Sequence, residues 1–332
     1  MPPKAKPKAA AAGGEDETWE AFQRIYQKAM KQYGLKPAPD VEKILGFFDE
    51  GMDPMQIRWN FTEPLDSMGF NILMHSLREA EYKKISNVRL WKCDPKGDES
   101  VRAVCDYLES PNGVVVEDLQ FTDNNVTDLG CEFIGMALGG RERVAGKLAL
   151  VPPVSYLRLD YNHIGAKGVE KLAVGLAQNH FLRALSVQYC AIGPQGGAPL
   201  ATILMYQKSE MEQFLLRGNE LGDVGALALL KGVRRNQKLK LLDLADNKFS
   251  EKPEILDVLL DCFQNNMLLE VYRLVGNQIS DVGAQKLIHG MIGLSHLKEV
   301  QVPERCSQST YEALEQALGG GKKKKGKKGK KK

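Results

Sequence analysis

One pattern of apolar and polar positions, LxxLxLxxNxI, recurs along the second half of the chain. Apolar residues occupy its first, fourth and sixth positions, and an asparagine or cysteine follows at the ninth. Five copies carry this ninth residue at intervals of 28, 29, 28 and 30 residues, at Asn162, Cys190, Asn219, Asn247 and Asn277. Earlier copies place Asn124 and Cys93 there, and a last copy at residues 297–305 has lost the asparagine. A sustained period of this length predicts an array of stacked repeats.

Each unit also contains a stretch with helical spacing. Gly168, Leu172 and Leu176 follow Asn162 by 6, 10 and 14 residues, and spacing by four is typical of one face of a helix. The apolar residues ahead of the asparagine, such as Val154 and Leu157, are expected to point inward from a short strand. The sequence therefore predicts an α/β solenoid in which parallel strands stack about 4.8 Å apart.

The ninth residue of each unit follows the strand, where the chain turns away from the sheet. A side-chain amide at this point can bond backbone groups that no strand ladder reaches. We therefore expect a structural column of asparagine and cysteine side chains along the array. Its predicted members are Cys93, Asn124, Asn162, Cys190, Asn219, Asn247 and Asn277.

The ends of the array have their own patterns. Residues 16–33 carry one helical stripe of large apolar residues, consisting of Trp19, Phe22, Tyr26, Met30 and Tyr33. Asp40 is expected to cap a second helix. We predict a disordered N-terminus at residues 1–14, a helical N-terminal cap at 15–84 and about seven or eight repeats at 85–319. The cap would cover the bare core of the first repeat, and a helix that docks a partner is the alternative.

Charge separates the chain ends from the body. Of 45 basic residues, nine lysines lie in the last eleven positions and three lie near the N-terminus, which leaves 33 basic against 42 acidic residues in between, a net charge of about −9. Residues 320–332 are therefore predicted to be a disordered polylysine tail. We expect this tail to bind a polyanion such as tubulin, and a solubilising role is the alternative. The tail lysines are Lys322, Lys323, Lys324, Lys325, Lys327, Lys328, Lys330, Lys331 and Lys332.

Several classes of function have no signal in the sequence. No apolar run approaches the roughly twenty residues that span a bilayer, and no export signal is visible, so we expect no membrane insertion and a cytoplasmic location. The six cysteines are spaced too irregularly for a zinc site, and the histidines form no metal or catalytic motif. We predict a non-enzymatic protein with no cofactor and no metal. A ten-residue insertion around 139–153, with Arg141, Arg143 and Lys147, is expected to be a surface loop or a binding loop.

The strand positions that do not point inward are predicted to form the partner-binding surface. They are rich in arginine and aromatic residues, which favour protein interfaces, whereas a merely solvated face would carry more lysine and glutamate. Asp160, Ser186 and Asp243 are expected on the same face. The predicted binding residues are Trp91, Tyr156, Arg158, Tyr161, Arg183, Tyr189, Arg217 and Arg273.

The repeat motifs resemble those of ribonuclease-inhibitor-type leucine-rich-repeat proteins over residues 85–318. This resemblance implies a horseshoe with concave strands and convex helices, used as a protein-interaction scaffold. With its N-terminal helical block and its lysine-rich end, the chain also resembles leucine-rich-repeat scaffolds of the ciliary or flagellar axoneme. Such proteins belong to large radial-spoke or dynein-regulatory assemblies of eukaryotes.

Two other functions remain alternatives. A GTPase-activating protein similar to those that act on Ran would share the repeat type, although such proteins typically end in an acidic tail and this chain ends in a basic one. A nucleic-acid- or ribosome-associated adaptor would act through the lysine tail alone.

Overall fold

The computed structural model describes residues 17–94, 96–139 and 151–319. In these residues strands and helices alternate, and each strand pairs in parallel with the next in one sheet of order β1 to β9. The strands are β1 Trp59–Phe61, β2 Asn87–Trp91, β3 Asp118–Thr122, β4 Tyr156–Arg158, β5 Ala184–Ser186, β6 Gln213–Leu215, β7 Leu241–Asp243, β8 Val271–Arg273 and β9 Glu299–Gln301.

The α-helices lie between the strands, with two more before β1 and one after β9. They are α1 Glu17–Tyr33, α2 Pro39–Asp49, α3 Ser67–Glu79, α4 Gly97–Leu108, α5 Asp128–Leu138, α6 Gly165–Leu176, α7 Gly197–Leu204, α8 Gly222–Val233, α9 Pro253–Asn265, α10 Asp281–Met291 and α11 Gln308–Ala317. Short 3₁₀ turns occupy Pro54–Gln56, Gly113–Val115 and Pro194–Gly196.

The strand register stacks equivalent apolar residues of successive units. Leu157 of β4 is the register partner of Leu185 of β5, which is the partner of Phe214 of β6, and all three side chains are fully buried. One unit alone could not bury these residues, so the core is a continuous layer between the sheet and the helices. The sheet forms the concave side and the helices form the convex side. The predicted leucine-rich-repeat horseshoe is confirmed.

Helices α5 and α6 pack closely although a long insertion separates them in sequence. A side-chain carbon added to Gly175 of α6 would overlap the backbone of Gly135 in α5, so glycine is required for this approach. Residues 140–150 of the insertion, which include the basic residues predicted for a loop, lie outside the described residues.

The N-terminal segment corrects one expectation. Residues 15–84 are not wholly helical, because β1 pairs in parallel with β2 and buries Trp59 and Phe61. Helix α3 follows it, so a strand–helix unit precedes the first repeat recognised in the sequence. The strand of this unit escaped detection because aromatic residues stand where the other units carry mainly aliphatic ones.

Asp40 does not cap α2 as expected. Ala38 occupies the N-cap without a side-chain bond, and Asp40 lies buried in the first turn. Its carboxylate accepts hydrogen bonds from the backbone N–H groups of Thr62 at 2.7 Å and Glu63 at 2.9 Å, and thus ties α2 to the end of β1. Burial alone would raise the pKa of Asp40, but these bonds and Lys43 hold it below its usual value.

Helix α11 lies at the other end of the array, where Thr310 and Leu314 are buried against the last unit. The segments beyond, residues 1–16 and 320–332, are outside the described residues, and with them the lysine-rich tail. Within the described part of the chain, no helix has both the length and the apolar character needed to cross a membrane.

Candidate protein-binding surface

The predicted column residues lie in one hydrogen-bonded row. The side chain of Asn219 is fully buried, and its Oδ1 accepts from the N–H of Cys190 at 2.9 Å. Its Nδ2 donates to the carbonyls of Val187 at 2.7 Å and Leu216 at 2.9 Å. The same scheme recurs at the other asparagines, so each amide bonds backbone groups of its own unit and of the unit before.

Cysteine replaces asparagine in two rungs of this row. The thiol of Cys190 donates to the carbonyls of Leu159 at 3.2 Å or Gln188 at 3.3 Å, which keeps the donor function of the amide. Burial raises the pKa of Cys190 to about 12, and burial also raises that of Cys93 to about 12. Both thiols are therefore protonated at neutral pH, which fits a structural role.

A second buried asparagine row was missed by the sequence reasoning. It lies where each helix turns back towards the next strand. In Asn236, for example, Nδ2 donates to the carbonyl of Leu204 at 3.0 Å, and Oδ1 accepts from the N–H groups of Lys238 and Leu239, each at 2.8 Å. The members of this row are Asn112, Asn179, Asn236 and Asn266. Buried side-chain amides therefore form hydrogen bonds to the backbone along both rims of the sheet.

The predicted binding arginines lie on the concave strands, and most contact carboxylates of the same face. Arg158 approaches Asp160 at 3.3 Å and lies over the ring of Tyr156 with 5.6 Å to its centroid. Asp160 is buried, and it accepts hydrogen bonds from the Ser186 hydroxyl at 2.6 Å and from the N–H of Gln188 at 2.8 Å. Asp160 and Ser186 are therefore both covered and offer no exposed surface to a partner.

A similar arrangement occurs three strands further along. The buried carboxylate of Asp243 lies 3.6 Å from Arg217 and 3.6 Å from Arg273, so two arginines share it. Arg217 also contacts Asp246 at 3.4 Å. Burial tends to lower the pKa of Arg217, but the two carboxylates raise it above its ordinary value. The arginine charges on this face are balanced within the chain, so a partner is not needed to neutralise them.

Two tyrosines stand out on the rim where the strands end. The residue before each column member has a left-handed backbone. After β4 that residue is Tyr161, with φ 61°, and after β5 it is Tyr189, with φ 53°. Their rings stack at 5.0 Å and 8°, with 53% and 41% of each residue exposed. The next unit has Gly218 here, and the Tyr189 ring occupies the space that a side chain at 218 would need.

The eight predicted binding residues do not form one patch. Trp91 is exposed but lies on β2, six strands from Arg273 on β8, which is roughly 29 Å at the usual strand spacing. Arg183 lies at the opposite end of β5 from the tyrosines and pairs with Glu212 at 3.0 Å. The residues that the fold brings together are those on and around β4 to β6, namely Tyr156, Arg158, Tyr161, Tyr189 and Arg217. Among the described residues no histidine, cysteine and carboxylate group has the arrangement of a metal site.

Comparison with known proteins agrees with this repeat architecture. The family model described as "Leucine Rich repeat" matches residues 152–173, 178–201, 215–230 and 265–287. Ribonuclease inhibitor of Sus scrofa is 28% identical over 60% of this chain and 41% of its own length, and that of Mus musculus is 24% identical over 54% and 39%. The chain thus spans about two-fifths of the length of these curated relatives. A solved structure of the yeast Rad7 and Elc1 complex is 13% identical, covers 89% of this chain and 78% of its own, and has a TM-score of 0.46.

The repeat length, the alternation of strand and helix and the sequence relatives point to the same family. The chain is built of leucine-rich repeats, and in sequence and repeat length it is similar to ribonuclease-inhibitor-type proteins.

Proposed function

We propose that the chain is a non-enzymatic protein-interaction scaffold whose partner contacts the concave strands β4 to β6. The observation that carries this proposal is the exposed stack of Tyr161 on Tyr189 in a left-handed backbone. Two relatives are named ribonuclease inhibitor, and the target of such an inhibitor is itself a protein. Their partners are not transferred to this chain, but the mode of action supports a protein partner here.

The fold itself does not require tyrosine at positions 161 and 189. A left-handed conformation costs a non-glycine residue about 1–2 kcal/mol, and a bulky side chain is uncommon there. Two other units place Gly218 and Gly276 at the same position, where this cost vanishes, but three units place the left-handed residues Lys92, Asp123 and Asp246 there. The left-handed backbone is therefore a general feature of this position. What distinguishes Tyr161 and Tyr189 is their pair of stacked, exposed rings, and tyrosine gives a large contact area for few rotatable bonds.

The test removes the rings and keeps the backbone. In the variant Tyr161→Gly with Tyr189→Gly, glycine suits both positions, so folding should be unimpaired and partner recovery should fall at least tenfold. The measurement is affinity purification of the tagged full chain from its own cells, with quantitative mass spectrometry. The matched control is Glu220→Gly with Lys248→Gly, because these residues are also left-handed and exposed, at φ 55° and 60°, and pair with each other at 2.6 Å. Unchanged recovery by the tyrosine variant would contradict the proposal.

The finer proposal is that this scaffold belongs to a radial-spoke or dynein-regulatory type assembly of the axoneme, in a cilium or flagellum. It is supported by the combination of a helical N-terminal block, the repeats and a lysine-rich end. The tail would add electrostatic, sequence-independent attachment to a polyanion such as tubulin.

This finer proposal is tested by extraction of detergent-treated cells at increasing salt. Full-length protein should stay in the detergent-resistant fraction, and deletion of residues 322–332 should release it at lower salt, because the nine lysine charges are lost. Release of both forms by detergent alone would remove the axonemal assignment. Identical salt curves would reduce the tail to a solubilising segment.

A further inference from the structure

The turns that follow the helices lie along one edge of the solenoid. Because the described strands are all parallel, the helices between them all end at this edge, and Tyr161 and Tyr189 lie at the opposite edge, where the strands end. In the second half of the array we name these turns the basic rim. It consists of residues 205–212, 234–240, 266–270 and 292–298.

The basic rim differs in charge from the same edge in the first half of the array. Its four turns contain six basic and three acidic residues, a net charge of +3. The turns after α3, α4 and α6, at residues 80–86, 109–117 and 177–183, contain three of each, and the turn after α5 lies partly outside the described residues. An excess of positive charge therefore distinguishes the second half of this edge, although the body of the chain is acidic.

Large apolar side chains project from the basic rim. Met205, Met267, Leu268 and Ile292 are 42%, 57%, 50% and 63% exposed. They belong to the turns after α7, α9 and α10, so they form a row along the edge. Arg235 comes from the turn after α8, and its Nη1 contacts Sδ of Met205 at 3.9 Å, which places a cation within this row.

The acidic residues of the basic rim are neutralised within the chain. Glu210, Glu212 and Glu270 pair with Lys238, Lys240 and Lys298 at 3.0, 2.8 and 2.5 Å. Arg234 pairs with Asp261 of α9 at 3.1 Å. Lys208 and Arg235 are exposed and form no ion pair with any residue that the structure describes. The charge that the rim offers to another molecule is therefore positive.

The lysine-rich end of the chain follows the same rim. Helix α11 ends at Ala317, and Gly319 is the last described residue, so residues 320–332 leave the array one unit beyond Ile292. Their nine lysines outnumber the two exposed glutamates of α11, Glu312 and Glu315. The rim and the tail thus bring cations and exposed apolar side chains together at one edge.

This combination suits the surface of an anionic bilayer. Apolar side chains of a bound protein enter the boundary between headgroups and acyl chains, and cations are attracted to the lipid charge. A polyanion that offers no apolar phase, such as an acidic protein tail, would engage the lysines and leave Met267 and Leu268 in water. Side chains on the tips of successive turns can all reach a flat surface at once.

We propose that the basic rim docks on a membrane surface that contains anionic lipid, with the lysine tail on the same lipid charges. The chain lies on this surface and does not cross it. The edge with Tyr161 and Tyr189 faces away from the membrane, so a protein partner can bind the concave strands at the same time. This inference does not rest on the proposed scaffold function, and it gives the tail an anionic partner other than tubulin.

The experiment places an environment-sensitive fluorophore on the rim of the purified full chain. The variant Leu268→Cys is labelled on its exposed thiol with nitrobenzoxadiazole, which is selective because all six native cysteines are buried. Vesicles of phosphatidylserine and phosphatidylcholine in equal parts should shift its emission to the blue and raise its intensity at least twofold. The matched control is Val224→Cys with the same label, since Val224 is 73% exposed at the opposite edge and should show no change.

Sedimentation of unlabelled protein with the same vesicles measures the lipid affinity. It should fall at least tenfold for Met267→Asp with Leu268→Asp, and at least tenfold for Lys208→Glu with Arg235→Glu. Val224→Asp with Val282→Asp is the control, because both residues are exposed at the opposite edge, and its affinity should stay within twofold of wild type. The charge variant changes only exposed side chains, so it decides the question if the apolar variant does not fold.

Three outcomes would overturn the proposal. Rim variants that sediment like the control would show that the tail binds lipid without the rim. Equal binding to pure phosphatidylcholine vesicles would contradict the charge argument. Wild-type protein that pellets with microtubules and not with the vesicles would make tubulin the anionic partner.

Discussion

Replacing Asn219 by alanine removes one rung from the amide column. Four backbone groups are bonded to this side chain: the N–H of Cys190 and the carbonyls of Val187, Leu216 and Arg217. The Arg217 carbonyl keeps a partner, because it also accepts from the N–H of Tyr189 at 2.8 Å. Leu216 keeps a partner, because Nδ2 of Asn247 also donates to its carbonyl at 2.9 Å. The substitution therefore leaves two buried backbone groups without a hydrogen-bond partner.

The cost follows from these two groups. A buried polar group without a partner costs about 1–3 kcal/mol, so we expect a loss of about 3 kcal/mol in the free energy of unfolding. At roughly 2 °C per kcal/mol for a chain of this size, the melting temperature should fall by about 6 °C. Asn219→Cys should lose about half as much, because a thiol keeps the donor function, as Cys190 does.

The assay is thermal unfolding followed by circular dichroism at one protein concentration. Asn265→Ala is the matched control, since Asn265 is exposed and, within the part of the chain that the structure describes, bonds only Asp261 of its own helix. The melting temperature of this variant should stay within about 1 °C of wild type. If Asn219→Ala had the same melting temperature as the control variant, the role of the column in stability would be refuted. An Asn219→Cys variant as damaged as alanine would refute the donor argument.

Three further predictions concern the same framework. Thiols such as Cys93 and Cys190 should react with a thiol reagent only on unfolding, so the labelling rate should follow the unfolding rate in denaturant. Hydrogen bonds from Thr310 and Ser307 lower the pKa of Asp281 below its usual 3.8. The stabilisation that Asp281 provides is therefore present above that pH and is lost as pH falls below it. In the variant Asp281→Asn, the free energy of unfolding should fall less steeply as pH is lowered through this range. Asn236→Ala should lower the free energy of unfolding by about 2–3 kcal/mol in the same thermal unfolding assay, much as Asn219→Ala does. It leaves three backbone groups without their side-chain partner, and some of these groups lie nearer to solvent.

The sequence predicted those parts of the fold that repeat with a regular period. Buried positions such as Leu157 and Leu185 must contact their counterparts in the next unit, so the same residue type recurs at the same interval. The amide column was visible for the same reason. The second row was not, because serine replaces asparagine at Ser209, where the hydroxyl accepts from the N–H of Met211, and an incomplete series has no clear period.

The concave surface was predicted less completely, for a physical reason. The pattern shows which strand positions face outward, but it does not show which charges pair across strands. Asp160 and Asp243 lie on the predicted face, and arginines cover them, so they hold the surface together and are not available to a partner. The left-handed backbone of Tyr161 and Tyr189 was also hidden, because the repeat pattern accepts many residue types at that position.

Site-specific photo-crosslinking in the cells that make the protein tests directly whether partners bind the concave strands. A benzoylphenylalanine replaces either Gln188, on the concave side beside Tyr189, or Val224, which is 73% exposed near the start of α8. Partners should crosslink to position 188 and not to position 224. Crosslinks formed only from position 224 would place the partner on the helical side and contradict the account.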